Sequence, residues 1–189
     1  KGTPGHGSQP HRTDNALVKA AEVVRRLAEF ESAASIHEVW RAYVEGMQFP
    51  EEISTALLDA ALLPSAMAEM PIGMARMIHA CTHTTFSPNV AHGGTKTNVI
   101  PDSVDLEVDI RTLPGQTGEE VRALIDEALG DLADQVEITS RDDPSSASPI
   151  DTPLWDSLAR VSGQLVEGSA LVPFLMVGAT DNRYFRREG

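Results

Sequence analysis

Gly5-His6-Gly7-Ser8-Gln9-Pro10-His11 sets two imidazoles and a hydroxyl among glycines, directly ahead of a helix-like run. Such a loop is a poor place to bury a histidine and a good place to present one. A presented imidazole can give, take or share a proton near neutral pH. Flanking glycines let the backbone turn sharply and approach a ligand. Ser8 lies near His6 and His11, but no nucleophile elbow surrounds it, so spacing alone reads it as a polar turn residue. The loop precedes a helix N-terminus, where an anion is favoured. Neither a phosphate-loop nor a dinucleotide spacing is present.

A second candidate lies toward the other end. Leu171 to Val177 is a continuous apolar run, followed by Gly178-Ala179-Thr180-Asp181-Asn182-Arg183. An all-apolar run reads as a strand buried on both faces. The loop at the carboxyl end of such a strand is where α/β proteins hold ligands. Gly178 permits close approach there, and Thr180, Asp181 and Arg183 supply polar contacts.

Metal is the next possibility, since the chain has six histidines. No His-x-Asp and no His-Glu-x-x-His occurs. His79 and His83 are four apart, but Cys81-Thr82 between them reads as a change from helix to strand. A site built from His79, His83 or His92 is therefore the weakest of the readings. Glu51-Glu52 and Glu119-Glu120 look like catalytic carboxylate pairs. Both fall in first helical turns, where acidic residues complement the helix dipole, and that explains them.

The elements that must position these groups follow from periodicity. Thr13 or Asp14 is expected to cap a helix with a stripe of Leu17, Ala20, Ala21, Val24, Leu27 and Ala28. Further helices are expected over about 36–47, from Gln48 to an end at Pro64, and from Pro71 to Ile78. The pattern then turns to strands: Thr82 to Val90, Thr97 to Ile100, and Ser103 to Leu113. In the last, Val104, Leu106, Val108 and Ile110 alternate with Asp105, Glu107, Asp109 and Arg111, the mark of a sheet with one wet face. Thr117-Gly118-Glu119-Glu120 is a capping box. Val121, Leu124, Ile125, Ala128, Leu129 and Leu132 form the stripe behind it, and a short strand is expected over Val136 to Thr139. The order β, α, helical insertion, β, β, α, β fits a split βαβ sandwich, an α+β fold. Asp142 to Asp151 has linker composition, and Thr152-Pro153 opens one more helix.

Bulk properties narrow the partners. A net charge of −13 over 189 residues repels nucleic acid and anionic membranes. One cysteine, Cys81, gives no disulfide framework and makes a reducing cytoplasm the default. No apolar run reaches the length of a membrane span, and no signal peptide is visible. The chain opens on Lys1 and stops at Gly189 soon after a strand-like run that lacks neighbours. A fragment of a longer protein is the expectation.

Several segments together resemble one family. They are Gly5-His6-Gly7-Ser8-x-Pro10 before a helix, Thr97-Asn98-Val99-Ile100-Pro101, the strand through Asp109-Ile110-Arg111, and Gly178-Ala179-Thr180-Asp181-Asn182-Arg183-Tyr184-Phe185. In this order they resemble the zinc exopeptidases and aminoacyl amidohydrolases that include aminoacylase, succinyl-diaminopimelate desuccinylase, carboxypeptidase S and glutamate carboxypeptidase (metallopeptidase family twenty).

The resemblance implies a ferredoxin-like βαββαβ lid, or dimerisation, domain over 1–142 with a helical insertion at about 35–80. It implies that 143–189 is a truncated α/β piece of the catalytic domain. It implies a zinc-dependent hydrolase acting on the amide bond of small peptides or N-acyl amino acids. Two zinc ions are expected in the intact parent and none on this fragment, which is expected to be inactive alone. His6 is expected to reach a partner subunit's active site in a homodimer formed through the lid. Asn98, Arg111, Gly178, Thr180, Asp181 and Arg183 are expected to contact substrate. The alternative is a ferredoxin-like module that only dimerises or binds a small ligand.

Overall fold

In a computed structural model, residues 1–141, 145–178 and 180–188 are described, residues 187 and 188 without their side chains. The expected domain boundary at 142/143 lies outside the described residues. The chain divides into two compact units, Lys1–Ser32 with Thr84–Thr112 and Gln116–Pro144, and Ala33–His83 with Leu113–Gly115 and Ser145–Gly189. The helical stretch expected at about 35–80 thus falls in the same unit as the C-terminal segment.

The first unit begins with β1 (Gly5–His6), followed by α1 (Ala16–Glu29). Asn15 caps α1 by accepting the Leu17 N–H at 2.9 Å, so the cap lies one residue beyond the expected Thr13 or Asp14. The buried stripe is Ala16, Ala20, Val23 and Leu27, while Leu17 is exposed. The stripe is turned from the expected one because alanine and valine occur on most faces of α1, so the charged residues decide. Arg25 pairs with Glu22 and Glu29, and Arg26 reaches from Glu22 to Asp131.

Two antiparallel pairs of strands follow. β2 (Thr85–Gly93) pairs with β4 (Val104–Arg111), from Thr85 opposite Arg111 to Gly93 opposite Val104. The register slips between Pro88 and Val90, leaving Asn89 as a bulge. Exposure alternates along β4 as the sequence predicts, with Asp105, Glu107, Asp109 and Arg111 on the wet face. β3 (Val99–Ile100) pairs with β1 instead. α6 (Gly118–Leu129) carries the predicted capping box: Thr117 Oγ1 accepts the Glu120 N–H, and Glu120 accepts the Thr117 N–H. A 3-10 turn, Gly130–Gln135, follows.

Val23, Leu27 and Leu129 are buried here among Phe86, Leu106, Val108, Ile125 and Ile138. The strand expected at Val136 to Thr139 is not formed. Its backbone enters extended at Val136, and Val136 and Ile138 pack on the core. Among the described residues no strand lies beside it to complete a ladder, and a strand exists only through such pairing.

The second unit is helical among its described residues: α2 (Glu38–Gly46), α3 (Glu51–Leu58), α4 (Leu63–Ala68), α5 (Ile72–Thr82), α7 (Pro153–Leu165) and α8 (Asn182–Glu188). His37 caps α2: its Nδ1 accepts the Trp40 N–H at 3.2 Å and its Nε2 lies 2.9 Å from the Cys81 carbonyl. Pro64 does not end a helix. It sits in the first turn of α4, where a missing N–H costs nothing. α5 runs past the expected end at Ile78 to Thr82, whose hydroxyl returns to the Ile78 carbonyl at 2.7 Å. Thr152 caps α7 as expected. Trp40, Val44, Leu57, Leu63, Ile78 and Cys81 form the core, and the Trp40 indole donates to the Leu57 carbonyl at 2.8 Å.

Leu171 to Val177 is not the expected buried strand. Leu175 packs on this core and Phe174 meets Tyr43 edge to face, but Phe174, Met176 and Val177 remain 52%, 58% and 42% exposed. The run has the composition of a central strand, and among the described residues no strand pairs with it.

Candidate active-site loop

His6 ends the short strand β1, opposite Val99 of β3. Immediately after it the Gly7 N–H donates to the Asn98 carbonyl at 2.8 Å. A Cβ on Gly7 would meet the Asn98 backbone at 3.1–3.3 Å, so a side chain there would push the two segments apart by a few tenths of an ångström. The Gln9 N–H then closes a turn on the His6 carbonyl at 3.0 Å. The His6 ring is exposed. Its Nδ1 lies 2.7 Å from Ser8 Oγ and 3.2 Å from the Ser8 N–H. The fold therefore brings His6 and Asn98 together through β1 and β3.

Arg111 lies elsewhere in the same unit. It ends β4 opposite Thr85, and its guanidinium donates to Asp109 Oδ2 at 2.7 Å on the same exposed face. A planar guanidinium beside one carboxylate keeps further donors for a second.

Gly178, Thr180, Asp181 and Arg183 belong to the second unit. Gly178 is in a bend, Asp181 in a turn, and Arg183 in the first turn of α8. The Thr180 and Asp181 carbonyls accept the N–H groups of Arg183 and Tyr184. The Arg183 guanidinium bonds the Tyr184 hydroxyl at 2.9 Å and stands 4.8 Å from that ring's centre. The loop is thus a helix entry rather than the end of a paired strand.

Metal ligation finds little support. Among the described residues no group of three or more His, Cys, Asp or Glu side chains could hold an ion. His79 and His83 stack, with ring centres 4.2 Å apart and planes 4° from parallel. Imidazole lone pairs lie in the ring plane, so parallel rings do not converge on one ion. His92 sits on β2 opposite Asp105. Glu51-Glu52 and Glu119-Glu120 occupy the first turns of α3 and α6, as their helix-dipole reading predicts. The residue that spacing undervalued is Ser8. Its signal was its position two residues after a histidine within a glycine-bounded turn.

The comparisons with known proteins bear on the family and the fold. The family described as Peptidase dimerisation domain matches residues 1–137. The human N-fatty-acyl-amino acid synthase/hydrolase PM20D1 is 29% identical over 192 residues, covering 97% of this chain and 37% of that protein. The Xenopus tropicalis counterpart is 26% identical over 187 residues, covering 96% and 36%. The chain thus spans little more than a third of the length of these relatives. An M20 family metallo-carboxypeptidase, Sso-CP2 from Sulfolobus solfataricus, shares the fold with a TM-score of 0.57 at 14% identity, covering 98% of this chain and 45% of that one. With most of its length matched, the chain belongs to the M20 family, through its peptidase dimerisation domain.

Proposed function

We propose that this chain is the dimerisation segment of a metal-dependent amidohydrolase, and that it supplies His6 to the active site of a partner subunit. The observation that carries this reading is the His6 loop. The His6 imidazole is exposed, and the loop that carries it is tied through the Gly7 N–H to the Asn98 carbonyl, where a Cβ on residue 7 would be crowded. The names of the relatives favour N-acyl amino acids with a free carboxylate as substrates.

In this reading His6 donates a ring N–H to the oxygen of the scissile carbonyl. As the carbon becomes tetrahedral, charge gathers on that oxygen and the hydrogen bond strengthens. Help of this kind acts on the transition state more than on the bound substrate. Asn98 lies beside the same loop and offers an amide. Arg111 is suited to the substrate carboxylate, and Gly178, Thr180, Asp181 and Arg183 to the rest of the substrate. The described residues of this chain do not fit a zinc site, so no step here runs through the metal. In this reading the family's zinc ions are held by residues outside this chain. Association is placed in a homodimer through the ferredoxin-like first unit.

The test is His6→Ala in the intact enzyme. Loss of one oxyanion donor should lower kcat about 100- to 1,000-fold, with an unchanged melting temperature because the ring is exposed. Turnover near that of the unaltered enzyme would overturn the role of His6.

A further inference from the structure

Among the described residues, the hydrogen bonds of the His6 ring are all on one nitrogen. Nδ1 meets the Ser8 hydroxyl at 2.7 Å and the Ser8 backbone N–H at 3.2 Å. A hydroxyl can donate or accept, and so cannot fix a tautomer alone. A backbone N–H only donates. A proton on Nδ1 would face it, whereas a bare Nδ1 accepts from it. The Ser8 N–H is itself oriented, since the turn around it is closed by Gln9 onto the His6 carbonyl and tied by Gly7 to Asn98.

We infer that Ser8 is a positioning residue that holds neutral His6 in the Nε2–H tautomer, with Nε2 as the only ring donor presented outward. The backbone N–H selects the tautomer. The hydroxyl, donating in the same sense, deepens the preference and fixes the ring's rotation. This rests on the reading that His6 donates to a substrate oxygen. It adds which nitrogen does so and what keeps it protonated.

The tautomer can be read directly. Long-range proton–nitrogen NMR on the full chain labelled with 15N-histidine, at about pH 8.5 where histidine is neutral, separates protonated from bare ring nitrogens. The unaltered chain should show His6 as Nε2–H. In Ser8→Ala the ratio of the two tautomers should move toward Nδ1–H by about fivefold, which is a hydrogen bond of about 1 kcal/mol expressed as an equilibrium. Ser8→Thr keeps the hydroxyl and should restore the original ratio. The amides of Val99 and Ile100 report whether the β1–β3 pairing survives each change. In the intact enzyme Ser8→Ala should lower kcat about fivefold and leave KM unchanged.

An Nδ1–H tautomer in the unaltered chain would overturn the inference. So would an unchanged ratio in Ser8→Ala with the pairing intact. These results leave the role of His6 standing. Conversely, a tautomer that shifts as expected, in an enzyme indifferent to His6→Ala, would keep the Ser8 contact and sink the donor role.

Discussion

Gly7 is the residue on which the loop geometry turns. Its missing side chain eases the approach of the loop to Asn98, and the atoms a Cβ would crowd are backbone atoms that cannot rotate away. Gly7→Ala should cost about 1–3 kcal/mol, the range for forced overpacking, and should loosen the β1–β3 pairing. Urea denaturation and the amide signals of Val99 and Ile100 check both. Cys81 makes a different prediction. Burial pushes its thiol up to about 11, against about 8.5 for a free cysteine. The folded chain therefore holds this proton more tightly than the unfolded chain. That contribution is complete below the unfolded value and is lost as pH rises through the folded one. The stability difference between the unaltered chain and Cys81→Ala should shrink between about pH 8.5 and about pH 11. Paired denaturation curves across this window would show it, and a constant difference would refute it.

At the scale of elements, caps decide where helices begin. Asn15, His37, Thr117 and Thr152 each accept a backbone N–H from the first turn of the helix they open. At Thr117 the bond is reciprocated by Glu120. Thr117→Ala should therefore cost about 1 kcal/mol, visible as a lower urea midpoint with an unchanged slope. These boundaries were legible in sequence where the capping residue and its helix were adjacent, as at Thr117 and Thr152. They were misplaced where a proline could serve either end of a helix, as at Pro64. Strands divide in the same way. β4 was plain from alternation alone. Residues 136–139 and 171–177 have the composition of strands but pair with no strand among the described residues, and composition does not reveal whether a neighbour exists.

At the scale of the molecule, the chain has two cores with no residue in common, one around Val23, Leu27 and Leu129 and one around Trp40, Leu63 and Ile78. Each belongs to a different unit. Trp40→Ala removes the largest fully buried side chain and its hydrogen bond to Leu57, a loss of about 3–5 kcal/mol for this type of change. Hydrogen exchange should then accelerate across α2, α3 and α5, while the amides of β2 and β4 keep their protection. Uniform loss of protection in both units would show that they unfold as one.

The sequence by itself determined the local features: the loop that presents His6, the capping box of α6, the wet and dry faces of β4, and the family that the M20 comparison confirmed. The first three rest on spacing within a few residues, where side-chain direction follows from the helical or strand repeat, and the family on four short segments in a fixed order. Only the tertiary structure decided that β1 pairs with β3, which brings His6 to Asn98 across most of the first unit. Only it placed two Ser8 groups on one nitrogen of His6, and grouped residues 33–83 with 145–189. The strand pairing and the grouping depend on contacts between segments far apart in sequence, and the Ser8 contacts on the turn and rotamer that the fold selects; pattern along a chain does not give either.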